Sequence, residues 1–187
     1  ALHRASIVAW EASGGVLSRM NFFALVEQNH AFNYQLWHAE DKARREDKGH
    51  TFVYHAKREI DGYNQQRNDC MEKMDEVIWT QLNPTTSERC PVHSETPGMM
   101  IDRLSILALK QYHMAEQVKR DDVDSTHRQT CFEKCERIKA QQAQLAQCLD
   151  EVLHEVEHNT RTFRLYRQFK MYNSLKLNPE LYAAEQG

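Results

Sequence analysis

The chain interrupts its own backbone in few places. Its 187 residues hold 6 Gly and 4 Pro, and three of the four prolines fall within 83–97. Proline removes an amide donor and clashes with the preceding helical turn, and glycine weakens a helix interior by about 1 kcal/mol. Stretches lacking both can therefore run as long helices. Within them apolar residues return every third or fourth position, the period of one helical face. A first helix is expected over about 2–12, ended by Gly14-Gly15. A second is expected from Ser18 to Arg45, with Phe22, Phe23, Leu25, Val26, Phe32, Leu36 and Trp37 on its apolar side and Gly49 terminating it. A third, from Thr51 to Leu82, places Ala56, Ile60, Tyr63, Cys70, Met74 and Val77 on one face. Its other face carries Arg58, Asp61, Gln65, Asn68 and Glu72.

The stretch 83–97 is the main loop. A helix is expected after Pro97-Gly98, reaching Lys119, and the polar break Asp121–Ser125 can cap the next, over about 126–158. There Cys135, Ile138, Gln142, Leu145, Leu149, Val152 and Val156 recur at alternating spacings of three and four, the mark of an antiparallel hairpin or bundle seam. A last helix is expected over about 160–175, with Phe163, Tyr166, Phe169 and Met171 close to Arg161, Arg164, Arg167 and Lys170. Phe163 and Phe169 would close the bundle or a homodimer interface. The expected fold is all-α: a single domain over 1–187, a bundle of five to six helices with a long antiparallel hairpin.

Hydrophobic residues at 41% and charged residues at 27% suit a globular chain. Its length allows burial of roughly 70% of the unfolded surface. A net charge of −3 argues against nucleic acid or an anionic membrane as partner. Apolar runs fall well short of the roughly 20 residues that span a bilayer. The start, Ala1-Leu2-His3-Arg4, lacks the charged-then-apolar order of a signal peptide. Five cysteines, an odd number without a Cys-x-x-Cys pair, fit reduced thiols in a cytoplasm. Cys131 and Cys135 stand one turn apart, yet Cys135 lies on the apolar stripe, where a small buried thiol is ordinary.

Chemistry is concentrated between Trp37 and His113. Glu72 and Asp75 are three apart on one helix, with Asp69 a turn earlier. Such carboxylates can share a hard cation, Mg²⁺ in particular, and Glu40-Asp41 on the preceding helix could complete the cage. Acidic pairs on successive helices resemble the all-α nucleoside triphosphate pyrophosphatases, although His38-x-Glu40-Asp41-x-x-Arg44 stands where those have Glu-x-x-Glu. Arg44, Lys57, Arg58 and Arg103 could neutralise phosphate oxygens, and a metal-bound water would be the nucleophile. Two other accounts fit the same residues: a solvated face of ion pairs such as Asp41–Arg45, or a buried polar network that specifies packing. Asn33, Asn64 and Asn68 sit in mid-helix, where asparagine is a mediocre choice, and are read as contacts for a polar ligand or as exposed residues. His38 and His113 are the proton-transfer candidates, with Lys110 and Arg103 giving His113 a basic neighbourhood. Glu95-Thr96-Pro97-Gly98 reads as a helix start capped by Thr96, or as an anion site at that helix N-terminus. Glu151-x-x-His154 and Glu155-x-x-His158 spell the di-metal motif of ferritin-like bundles, but they overlap on one helix and flank the apolar seam.

Three blocks carry a family resemblance. They are Asn33-x-x-x-Trp37-His38-x-Glu40-Asp41-x-x-Arg44, Lys57-Arg58-x-Ile60-Asp61-x-x-Asn64-Gln65-x-Arg67-Asn68-Asp69-x-x-Glu72-x-x-Asp75, and Glu95-Thr96-Pro97-Gly98-x-Met100-Ile101-Asp102-Arg103-Leu104-Ser105-Ile106. With Lys110, Tyr112-His113 and the ending Lys170-Met171-Tyr172-Asn173, they resemble the DUF4254 family from about Ser18 onward. That resemblance implies a helical bacterial protein often associated with glycosyltransferase genes. Two functions follow as expectations. One is a Mg²⁺-dependent enzyme acting on a phosphorylated small molecule, a nucleotide or nucleotide-sugar linked to glycan assembly. The other is a non-catalytic binding or accessory protein that partners a glycosyltransferase.

Overall fold

The structure is a computed structural model that describes residues 2–13, 21–169, 171 and 176–180. It is all-helical: α1 (Leu2–Ser13), α2 (Phe22–Ala43), a 3-10 turn (Glu46–Lys48), α3 (His50–Leu82), α4 (Pro97–Lys119) and α5 (Ser125–Glu157). Among the described residues none forms a β-strand beyond one isolated bridge, and no helix is long and apolar enough to cross a membrane. Gly14-Gly15 and the expected start at Ser18 lie outside the described residues.

Local chemistry sets the helix ends. Asn83 closes α3 in the left-handed region (φ 43°), its N–H bonded to Trp79 O at 2.8 Å. Thr96 caps α4 by accepting from Met99 N at 3.2 Å, and Asp124 caps α5 by accepting from His127 N at 2.7 Å. Pro97 is the first residue of α4, where its missing N–H costs nothing, so Pro97-Gly98 open this helix instead of preceding it. Gly49 also moves role. α2 ends at Ala43, and Gly49, at φ 87°, turns the chain into α3 after the 3-10 turn.

The expected last helix is corrected. Residues 161–169 run extended, not helical. Asn159, left-handed at φ 55°, turns the chain out of α5. Thr162 then bridges in parallel to Val92: Thr162 N donates to Pro91 O at 2.9 Å, and His93 N donates to Thr162 O at 2.7 Å. Phe163 is fully buried edge-on against Trp79, their rings 5.3 Å apart, and so closes the bundle. Farther on, Glu72 accepts from Arg167 Nη1 and Gln168 N, holding the segment to α3. Residues 172–175 lie outside the described residues.

α2 packs along α3, α4 along α5, and α3 and α4 meet between them. Val26, Met71, Met74, Ile78, Met100, Ile101, Leu145, Val152, Val156 and Phe163 make the main core. One face departs from ordinary patterning. The buried residues of α2 are Val26, Glu27, Asn29, His30, Asn33 and Ala39, so its inward stripe is mostly polar, while Phe23 is exposed. Burying such groups is tolerable only when they are bonded.

Candidate ligand pocket beside a buried polar network

The buried groups of α2 are bonded through α4. Asp102, itself buried, takes two amides on one oxygen: Asn29 Nδ2 donates to its Oδ1 at 3.0 Å and Asn33 Nδ2 at 2.8 Å. Arg67 of α3 completes the group. Its Nε lies 3.6 Å from Asp102 Oδ1, and its Nη1 donates to Asn33 Oδ1 at 3.3 Å. Asn29 also donates to Arg67 O at 3.2 Å. One carboxylate and two amides thus fix a guanidinium across three helices.

The network has a direction. His30 Nε2 lies 2.9 Å from His3 O, which can only accept, so Nε2 carries the proton and Nδ1 is the acceptor. Ser105 Oγ therefore donates to His30 Nδ1 at 2.7 Å and accepts from Asn33 Nδ2 at 2.9 Å. The chain runs Asn33, Ser105, His30, His3 and ties α1 to the bundle. Ser105 and His30 form a hydroxyl–imidazole pair, but both are fully buried, which leaves them a structural role. The rings of Trp10 and Tyr34 extend the cluster, Trp10 standing 5.0 Å from His30 and 5.4 Å from Tyr34.

Burial, and then the neighbouring His3, push the His30 ring down to about 3 from 6.5. The unfolded chain takes up that proton near pH 6.5, and the folded chain only near 3. Stability from neutral His30 is therefore complete above the unfolded value and falls by about 1.4 kcal/mol per pH unit below it. Asp75 works in the opposite sense, because burial raises its carboxyl to about 6 from 3.8. Its folded form holds the proton longer, so that contribution is lost as pH rises through this window. The melting temperature is expected to fall from about pH 7.5 to about pH 5 in a calorimetric series. The fall should steepen in Asp75→Asn, which removes the opposing slope; a flat profile in both chains would contradict the assignment.

Next to the network, α2, α3 and α4 enclose a cavity of about 300 Å³, at the lower end of small-molecule sites. Asn33 and Arg67 reach it from the network, Trp37 gives it a flat wall, and Glu40, Asp41 and Arg44 stand around it. Behind that wall His113 stacks on Trp37 at 4.4 Å and 9°, with His38 at 6.1 Å from His113. His38 Nε2 is buried with no hydrogen-bond partner among the described residues. Glu40 Oε2 accepts from Arg44 Nη1 at 2.8 Å.

Of the residues expected at a site, the structure gathers Asn33, Glu40, Asp41 and Arg44 in this pocket and His38 and His113 beside its tryptophan. The others lie elsewhere. Arg103 and Lys110 line a second cavity of about 580 Å³ between α4 and α5, where Arg103 is bound by Glu95. Arg58 and Lys57 pair with Asp61 on the exposed face of α3, and Asp69 accepts from Gln65 at 2.7 Å. Asn64 and Asn68 are half-buried on the same helix. Glu72 is engaged by Arg167, and Asp75 sits at the α4 N-terminus, accepting from Thr96 Oγ1 at 2.5 Å and Gly98 N at 2.7 Å. Thr96 and Gly98 thereby direct the N-terminus of α4 at a carboxylate of the chain itself. Among the described residues, the five acids proposed as one metal cage do not converge on one point. Arg45 pairs with Asp47 rather than Asp41. Residue-type reasoning passed over Asn29, His30 and Arg67. Asn29-His30-x-x-Asn33 was the available signal, three polar groups on adjacent turns of one helix face.

A family model described as protein of unknown function (DUF4254) matches residues 23–165, which include the network and the pocket. No curated protein and no solved structure matches the chain.

Proposed function

The chain is a member of the DUF4254 family, and for this member we propose binding of a small phosphorylated molecule with a planar ring, a nucleotide or nucleotide-sugar, in the pocket between α2, α3 and α4. The observation that carries this reading is Arg67, a cation held in place by Asp102 and Asn33 where it also lines an open cavity. A side chain fixed before the ligand arrives loses little freedom on binding, and a guanidinium matches phosphate oxygens geometrically. Trp37, held from behind by His113, offers a rigid face for a base.

The charge at the opening is mixed, with Arg44 and Arg67 against Glu40 and Asp41. A bare phosphate would meet both signs. A phosphate carrying Mg²⁺ satisfies both: its oxygens on the arginines, its cation on the carboxylates. Binding should therefore be stronger with Mg²⁺. If turnover accompanies binding, the same carboxylates are the groups able to orient water at the phosphate, with His38 and His113 behind the tryptophan wall. Thermal-shift measurements with ADP, UDP and UDP-glucose, each with and without Mg²⁺, test the reading. A ligand at a hundredfold its Kd adds about 2.7 kcal/mol, a rise of roughly 5–10 °C for a chain of this size. That rise should require Mg²⁺ and shrink in Arg44→Ala, an exposed position whose change leaves the fold intact.

A further inference from the structure

We propose that the C-terminal end of α5 binds a divalent transition-metal ion through His154, Glu157 and His158. One candidate ligand atom from each lies within 4.8 Å of the others. On the helix these positions are i, i+3 and i+4, which stack on one face. All three side chains are exposed, so small rotations can close them around an ion whose Zn–N and Zn–O distances are about 2.0–2.2 Å. This triad is different from the Glu-x-x-His pairs visible in the sequence, since Glu151 and Glu155 are not members.

Three further features fit an ion there. The two imidazoles already lie together, ring centroids 4.1 Å apart. His158 Nδ1 stands 2.8 Å from His154 O, an acceptor only, so Nδ1 carries the proton and the Nε2 lone pair is left for a metal. His158 is also the C-cap of α5, where the unsatisfied carbonyls of a long helix favour positive charge. Two imidazoles and one carboxylate suit Zn²⁺ and leave a fourth position open. His154 and Glu157 both border an apolar groove of about 890 Å³, walled by Phe22, Ile78, Leu104 and Leu153 among others. The open coordination position would therefore serve a donor group on whatever enters that groove.

The test is titration of the tag-free full chain with Zn²⁺ by calorimetry, followed by Co²⁺ absorption spectroscopy. One equivalent of Zn²⁺ should bind saturably, and His154→Ala or His158→Ala should each weaken it by about tenfold or more. The Co²⁺ adduct should lack a thiolate charge-transfer band, which separates this site from Cys131 and His127, 3.5 Å apart on the same helix. Arg44→Ala should leave Zn²⁺ binding unchanged, so failure here and failure of the nucleotide pocket are distinguishable. Absence of saturable binding, affinity unchanged in the His154→Ala/His158→Ala double variant, or a thiolate band would each overturn the proposal.

Discussion

Gly98→Ala is expected to destabilise the chain by about 3–5 kcal/mol, lowering its melting temperature by roughly 10–15 °C. A Cβ at this position would stand 2.6 Å from Met71 O, 2.8 Å from Asp75 Oδ1 and 2.9 Å from Asp75 Cγ. The first of these is the backbone of α3 and cannot rotate away. Gly98 is also where α4 docks, because its N–H donates to the Asp75 carboxyl at 2.7 Å. Room for a methyl is made only by moving the start of α4 off α3, which breaks that bond and the Thr96 hydroxyl contact. The core residues Met100 and Ile101, within the same turn, move with it. Gly62 supplies the control. It lies inside α3, and a methyl added there would meet nothing within 4 Å, so Gly62→Ala should stabilise by about 1 kcal/mol. Equal effects of the two changes in denaturant titration would mean that the close approach of α3 and α4 is not real.

Asp102→Ala is expected to cost about 3–5 kcal/mol for a different reason. The side chain accepts from Asn29 and Asn33 and neutralises Arg67, with every partner wholly or largely removed from water. Truncation leaves two amides and a guanidinium without their acceptor, and the penalty of the unpaired groups exceeds the net worth of the bonds lost. Asp102→Asn keeps an acceptor oxygen and should lose markedly less. The comparison is read in urea midpoints at constant slope. Near-neutral Asp102→Ala would show that the network is solvated and that Arg67 is not fixed by it.

Much of the architecture was legible because the breakers were few and well placed. Pro84, Pro91 and Pro97 confine the long connection to one stretch, and the apolar period on either side yields helices that match the structure within a few residues. The segment after α5 was misread for a physical reason. Phe163, Tyr166 and Phe169 stand three apart, as on a helix, but Asn159 turns left-handed and Thr162 finds its partners in Pro91 and His93, which are remote in sequence. Periodicity does not register such pairings.

The site was half legible. Asn33, Glu40, Asp41 and Arg44 fall within the expected span of the second helix, so spacing alone placed them together. Asn29 and His30 follow Glu27-Gln28 and look like a solvated turn; they are buried because α1 and α4 cover them. Arg67 and Asp102 meet only once α3 and α4 pack. Conversely, Glu72 and Asp75 have ideal metal-binding spacing, yet their partners are a C-terminal arginine and a helix N-terminus, neither local in sequence.

The ligand pocket itself is tested most directly by isothermal titration of UDP and ADP, with Mg²⁺ present or chelated, into the wild-type chain, Arg44→Ala and Trp37→Leu. Saturable one-to-one binding that needs Mg²⁺ and weakens by about tenfold in each variant, equivalent to about 1.4 kcal/mol, is the predicted result. No binding of either nucleotide, or affinity that is the same in all three chains, would contradict a phosphorylated ligand between α2, α3 and α4.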